Sequence, residues 1–451
     1  MTAGTPLTLS GTIAPANATN QTIVWSVKDA GGTGASVSGS TLSATTAGTV
    51  VVTATVVNGA TESTNYTQDF TIAVNARSGG DGGGNNTPST PTTPAESGYK
   101  ADLDAGSGTD TTVLVKVDDK TGTATVDIGS GIIGGGRTSV VTVPSIPDVD
   151  TITVGIPVPD LKAANGQSKL TIETDAGSVT VPSNMLTGVN GTNGNKAEIT
   201  IAEGDKDSLP PALKAIIGDK PLIQLTLSID GKQTDWNNSK APVTVSIPYT
   251  PTAEELRHPN CIVVWYIDGD GKAVPMPNGH YDAKIGTVTF TTTHFSDYTV
   301  AYKNVSFNDV SDTAWYAPAV SFIAAREITS GTGNNKYSPV AKLTRGEFIA
   351  LVMRTYGIAP DENPTDNFSN AGNEVTRQEM FTLLYNVLKT IGQLPTGSSG
   401  KTLSDFTDRG EIASWAHEAM TLLVETGTIG GNNGMLTPDG TTTRAEMAQV
   451  L

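Results

Sequence analysis

Polar and apolar residues alternate in short runs between positions 5 and 75: Ile23-Val24-Trp25-Ser26-Val27, Ala35-Ser36-Val37-Ser38, Val50 to Val56, and Phe70-Thr71-Ile72-Ala73-Val74. A period of two puts successive side chains on opposite faces of an extended chain, so these runs predict short strands and a first β-sandwich over residues 1–76. Trp25 is expected to plug its core from a central strand. Over residues 77–98 the alternation stops and Gly-rich text gives way to Thr and Pro, which predicts a linker. It resumes over 99–303, at 112–117, 151–156, 168–172, 178–181, 223–229, 243–247, 262–267 and 288–290. This predicts a larger β-sandwich region, one compact pair of sheets or two subdomains divided near residue 192, with a short helix at 211–217.

From about residue 304 the period becomes helical. Thr-Arg-x-Glu occurs three times, at Thr344-Arg345-Gly346-Glu347, Thr376-Arg377-Gln378-Glu379 and Thr443-Arg444-Ala445-Glu446. Thr344, Thr376 and Thr443, with Glu347, Glu379 and Glu446 three positions on, read as capping boxes, and apolar residues follow at helical spacing. Three similar helices are therefore predicted, each with a guanidinium beside amides that favour an anion. The upstream text repeats as well. Phe307, Asp309, Trp315 and Ala319 answer Phe406, Asp408, Trp415 and Ala419, and 37 positions separate Phe307 from Thr344 and Phe406 from Thr443. Repeats of this size bury a core only by stacking.

These residues resemble the S-layer homology domain, whose pattern is Phe-x-Asp-Val, a Trp, a Gly-rich turn and Thr-Arg-Ala-Glu. The resemblance implies an all-α, helical-repeat anchor at 304–451 of a secreted Gram-positive surface protein. Three copies, at 304–358, 366–392 and 403–451, would pack around a pseudo-threefold axis, and their grooves would hold a secondary cell-wall polysaccharide, often one bearing a pyruvate ketal. It carries ligand roles onto Arg345 and Arg444 first, then Arg377, with Trp315, Trp415, Asp309, Asp408, Gly331, Gly333, Gly430 and Gly431 as sugar-facing or groove-shaping partners. A planar guanidinium fork suits a ketal carboxylate. The alternative is that the arginines pair only with capping glutamates or with Asp309 and Asp408, and that the Trp residues pack inside.

The middle copy departs from the pattern. Only 8 positions separate Phe368 from Thr376, 29 fewer than the 37 of its neighbours, so the Trp helix and Gly turn are missing and two intact grooves at most are expected. Residues 15–50 resemble a bacterial immunoglobulin-like (group 2) domain, which implies a spacer or adhesive module.

The formal charge of −17 excludes the basic surface that nucleic acid requires, and it makes an anionic polymer depend on local arginines. One cysteine, Cys261, leaves no intramolecular disulfide or thiolate metal site. No apolar run is long enough to span a membrane, and no leader-like segment opens the sequence. Because wall attachment requires export, we expect these residues to be a segment of a longer chain.

Two further motifs carry possible chemistry. Asp268-Gly269-Asp270-Gly271 reads as a hairpin turn, with a calcium loop as the alternative; that loop's closing Glu position falls on Gly279, so neither metal nor cofactor is expected. His294-Phe295-Ser296 resembles the cleavage turn of autoproteolytic β-sandwich domains, with Ser296 attacking the Phe295 carbonyl and His294 moving the proton; the alternative is a strand end. His258, His280, His294 and His417 are not at metal-ligand spacing, and no carboxylate pair, nucleophile elbow or phosphate loop stands out. The expectation is a non-catalytic anchor, with autoproteolysis or a carrier segment of a wall-bound glycan-active enzyme as rivals.

Overall fold

The computed structural model describes residues 7–9, 13, 22–38, 41–61, 64–74, 98–106, 110–359 and 370–451. The chain divides into two compact units, Met1–Pro91 and Thr92–Leu451. The expected linker, apart from Gly98, the segment 15–19 and residues 366–369 of the short repeat lie outside the described residues.

The described residues of the first unit form two three-stranded antiparallel sheets. One runs in the order Val24–Asp29, Gly48–Thr61, Thr64–Val74, the other Leu7–Thr8, Thr41–Ser43, Ser36–Ser38. Leu9, Leu42, Ala44, Val50, Val52 and Val74 form its core. The long strand Gly48–Thr61 is central, so Trp25 sits on an edge strand and not, as the alternation suggested, on a central one. It is half-buried against this core with its ring 5.7 Å from Phe70.

In the second unit a 16-stranded sheet begins at Ala273–Met276. It runs on through Ile262–Ile267, Asp297–Tyr302, Leu222–Ile229, Lys196–Glu203, Thr151–Pro157, Thr123–Asp127 and Asp110–Asp118. It then continues through Lys100–Asp104, Thr138–Thr142, Lys169–Thr174, Gly177–Pro182, Val243–Pro248 and Thr287–Thr292 to His280–Asp282, with Lys232–Gln233 beside Leu222–Ile229. Asp110–Asp118 joins two halves: residues 110–114 pair with Lys100–Asp104 and 115–118 with Thr123–Asp127. Inward residues of both halves share one core, Val154, Ile199, Leu225 and Val300 from the first and Val141, Ile172, Val245 and Phe290 from the second. Pairing crosses position 192 in both halves, since Thr151–Pro157 pairs with Lys196–Glu203 and Gly177–Pro182 with Val243–Pro248.

Most strands alternate buried and half-buried residues, as the period of two requires. Ile262–Ile267 and Asp297–Tyr302 are buried on both faces, and the first is apolar on both. Their second face meets α1 (Pro211–Ile217) and Ala325 of α2 (Ala317–Ala325), through Leu213, Ile217, Val263, Trp265 and Ala301. A strand covered on both sides reads as a continuous apolar run.

Among the described residues four more α-helices follow: α3 (Arg345–Thr355), α4 (Arg377–Thr390), α5 (His417–Glu425) and α6 (Arg444–Ala448). Their shared core includes Phe307, Ile323, Phe348, Val352, Met380, Leu384, Met420, Leu423 and Met447. The region thus has few and short helices, with turns and extended links between them. α2 packs on α6 and α5 on α4.

Candidate functional site

All three capping boxes form. In the first, the Glu347 amide donates to Thr344 Oγ1 at 3.2 Å, and Glu347 Oε2 accepts the Thr344 amide at 2.9 Å. Thr376 with Glu379 and Thr443 with Glu446 repeat this geometry. The residues just before the caps close a ring. Leu343 N–H donates to Thr442 O at 2.9 Å, Thr442 N–H to Val375 O at 3.3 Å, and Val375 N–H to Leu343 O at 2.9 Å. All three side chains are fully buried at this pseudo-threefold centre. The first two free amides of each helix are also consumed internally: those of Arg345 and Gly346 by Asn373 O and Ala371 O, of Arg377 and Gln378 by Gly440 O and Pro438 O, and of Arg444 and Ala445 by Ala341 O and Pro339 O. The helix starts therefore face neighbouring carbonyls, where the sequence had suggested an anion.

The arginines follow the same cyclic order. Arg345 Nη1 lies 2.8 Å from Glu379 of the second box, Arg377 Nη1 3.8 Å from Glu446 of the third, and Arg444 Nη1 3.4 Å from Glu347 of the first. Each repeat thereby grips the capping carboxylate of the next. Arg444 Nε also donates to Tyr337 O at 2.9 Å and Arg377 Nε to Leu436 O at 2.9 Å, equivalent positions just after the two Gly/Asn turns. Arg444 is the most enclosed, 5% exposed and 5.0 Å from the Tyr337 ring centroid, whereas the side chains of Arg377 and Arg345 are 20% and 23% exposed.

Asp309 and Asp408 do not meet these guanidinium groups through hydrogen bonds; they build the turns. Asp309 accepts the amides of Tyr337 and Ser338 at 2.8 and 2.9 Å, and Asp408 those of Leu436 and Thr437 at 2.9 and 2.6 Å. Burial on its own raises both carboxyl pKa values, but these amides outweigh it and hold both below the ordinary 3.8. The same contacts keep Ser338 and Thr437 in the left-handed region at φ 59° and 52°, a costly conformation for β-branched Thr437. Gly331 and Gly431 are required for space. A Cβ at Gly331 would lie 2.3 Å from Lys336 O, and one at Gly431 2.5 Å from the Phe406 ring. Gly333 has φ +98° and open space around it, and Gly430 likewise has open space.

Trp315 and Trp415 lie outside the core, 63% and 55% exposed. The structure therefore joins Arg444 to the first repeat's turn, which follows Trp315, and Arg377 to the third repeat's turn, which follows Trp415. Arg345 faces the shortened copy. Sequence reasoning missed the carbonyls of Tyr337 and Leu436, whose identical placement one residue before Ser338-Pro339 and Thr437-Pro438 was the available signal. A cavity of about 360 Å³ between α4 and α5, lined by Tyr385, Leu394, His417, Glu418, Thr421, Leu422 and Glu425, includes none of the expected residues.

At the autoproteolysis candidate, Ser296 Oγ donates to Ile267 O at 2.8 Å, and the His294 ring packs 4.7 Å from Tyr266 with Thr292 Oγ1 as its polar neighbour. Burial lowers the His294 pKa. Phe295 packs 4.8 Å from Trp236. The geometry does not bring the His294 ring onto the Ser296 hydroxyl, and neither residue has a positive φ. Asp268 Oδ1 accepts the amides of Asp270 and Lys272 at 3.0 and 2.8 Å, which closes a hairpin turn. Among the described residues no group of three or more His, Cys, Asp or Glu is placed to hold a metal, and no helix is long and apolar enough to cross a membrane.

The family model for the S-layer homology domain matches residues 306–349 and 405–448, within the first and third copies. An amylopullulanase of Thermoanaerobacterium thermosulfurigenes is 26% identical over 321 residues, 65% of this chain and 16% of that protein. The exoglucanase XynX of Acetivibrio thermocellus is 25% identical over 180 residues, 34% of this chain and 16% of its own length. The chain thus spans about a sixth of the length of these relatives. Its two S-layer homology domains place it at the cell surface, attached to the cell wall.

Proposed function

We propose that this chain is a non-catalytic segment that holds a surface protein on the Gram-positive wall by binding a secondary cell-wall polysaccharide, with its β-rich parts as spacer or adhesive modules. The observation that carries this is that each matched repeat has an exposed Trp followed in sequence by a turn of positive-φ residues, and that a guanidinium meets a carbonyl of that turn. The third repeat's groove, with Arg377, Trp415 and the turn fixed by Asp408, is the better of the two. Its ion pair to Glu446 is the longest of the ring at 3.8 Å, so a ligand carboxylate competes there at least cost. Arg444 serves mainly to hold its turn. Arg345 is the weakest candidate, because the turn and Trp it would share are those missing from the shortened copy. A pyruvate ketal suits Arg377 by charge and planarity. The N-terminal unit fits the immunoglobulin-like spacer, and the 16-stranded region a sandwich with one core.

The relatives favour one extension: both bear enzyme names, and this chain matches only a small share of each, so it also fits the carrier part of a wall-bound glycan-active enzyme. Titration of extracted wall polysaccharide, intact and stripped of ketals, against the full chain tests the site. Binding that falls at least about tenfold in Arg377→Ala and Trp415→Ala, and on ketal removal, supports it. Undiminished affinity in both variants contradicts it.

A further inference from the structure

The joint between the 16-stranded region and the helical ring carries a buried charge that is not one of the candidate polysaccharide ligands. Arg326, at the end of α2, is 2% exposed. Its Nε and Nη2 both donate to Gly279 O, at 3.0 and 2.6 Å, Nη1 donates to Asn260 O at 2.7 Å and to Phe322 O on its own helix at 3.2 Å, and Nη2 reaches Ile262 O at 3.4 Å. Its guanidinium carbon lies 3.5 Å from the Phe322 ring centroid. Every one of these acceptors is a carbonyl. Three belong to the β region, and Gly279 lies in the corner 277–279 that links Ala273–Met276 to His280–Asp282, the two ends of the sheet. A Cβ at Gly279 would lie 2.8 Å from Val264, so that corner is tightly packed.

Other contacts cross the same joint. Asn260 Nδ2 donates to Pro318 O at 3.3 Å, Cys261 Sγ lies 3.1 Å from Ser321 Oγ, Lys303 pairs with Glu327, and Ala325 is buried in the apolar cluster of Val263, Trp265 and Ala301. The opposite side of α2 packs on α6. One helix is thus part of both regions.

We infer that α2 is a structural member of the β region as much as of the anchor, and that Arg326 is the strut that makes the two open and move as one body. The consequence is directional: a polymer held at the first repeat, whose Trp315 lies two positions before the start of α2, is held at a fixed attitude to the sheet. Burial also pushes the Arg326 pKa down to about 10.

Cys261 is fully buried at the joint and is the chain's one thiol, which makes it a reporter. In the full chain under native conditions, a thiol reagent should label Cys261 at least about tenfold faster in Arg326→Met than in wild type, with calorimetry splitting the unfolding transition shared by the β region and the helical ring into two. Equal labelling rates and an unchanged single transition would overturn the inference. Hydrogen exchange of the wild-type chain tests it without any variant. The α2 amides should be protected to within about tenfold of strand Ile262–Ile267 and well above α5, which packs on α4 in the ring core. Exchange of α2 at the rate of α5, with the strand still protected, would show the joint to be loose.

Discussion

The β region and the ring of capped helices are built on opposite economies. In the sheet, stability is spread over many equivalent ladder pairs and one long apolar core, and its surface ion pairs, such as Lys116 with Asp127 at 3.3 Å, are exposed. In the ring, short helices meet through a few polar links: three backbone bonds at the axis, three Arg–Glu contacts in cyclic order and two aspartates holding two turns. The first arrangement tolerates the loss of any one surface contact. The second concentrates its cohesion at single residues, and those residues also shape the candidate grooves.

The largest effect should come from Arg444→Ala. It removes a 5% exposed guanidinium and leaves Tyr337 O and Glu347 without it, so a loss of about 3 kcal/mol is expected in chemical denaturation followed through the ring. Asp408→Asn comes next. Its carboxylate accepts two amides, an amide side chain accepts less well, and the expected cost is about 2 kcal/mol.

The same contacts predict a pH response. The folded-state pKa values of Asp309 and Asp408 lie below the ordinary 3.8, so their contribution is fully present above that value and is lost as pH falls through the lowered ones. Acid titration should therefore loosen the turns in wild type, and this component should shrink in Asp408→Asn. Thr442→Val works in the opposite direction. The Thr442 hydroxyl is buried without a hydrogen-bond partner where the axis otherwise presents Leu343 and Val375, so the isosteric valine should stabilise the ring by about 1 kcal/mol in thermal unfolding. The smallest change should be Lys116→Ala in the sheet, within about 0.5 kcal/mol; a cost matching that of Arg444→Ala would erase the contrast between the two regions.

The two regions were also unequally legible. Capped helices could be read from Thr344, Thr376 and Thr443 because a capping box is a local signal spanning four residues. The ring could not, because the links among Leu343, Val375 and Thr442 join positions far apart with no motif of their own. For the same reason three Thr-Arg-x-Glu texts could not say which turn each arginine meets. In the sheet, Ile262–Ile267 was plain from its apolar run, while Asp297–Tyr302 was missed because its polar start follows directly on His294-Phe295-Ser296. Trp25 was placed on a central strand because alternation reports which face a residue takes and not which strand lies in the middle.

The most direct test of wall attachment is sedimentation with purified Gram-positive walls, before and after acid extraction of their secondary polymers, comparing the full chain with the Arg377→Ala, Trp415→Ala double variant. The account predicts that the chain pellets with intact walls and stays in solution with extracted ones, and that the variant stays in solution with both. Equal pelleting of chain and variant with intact walls, or pelleting of the chain with extracted ones, would contradict it.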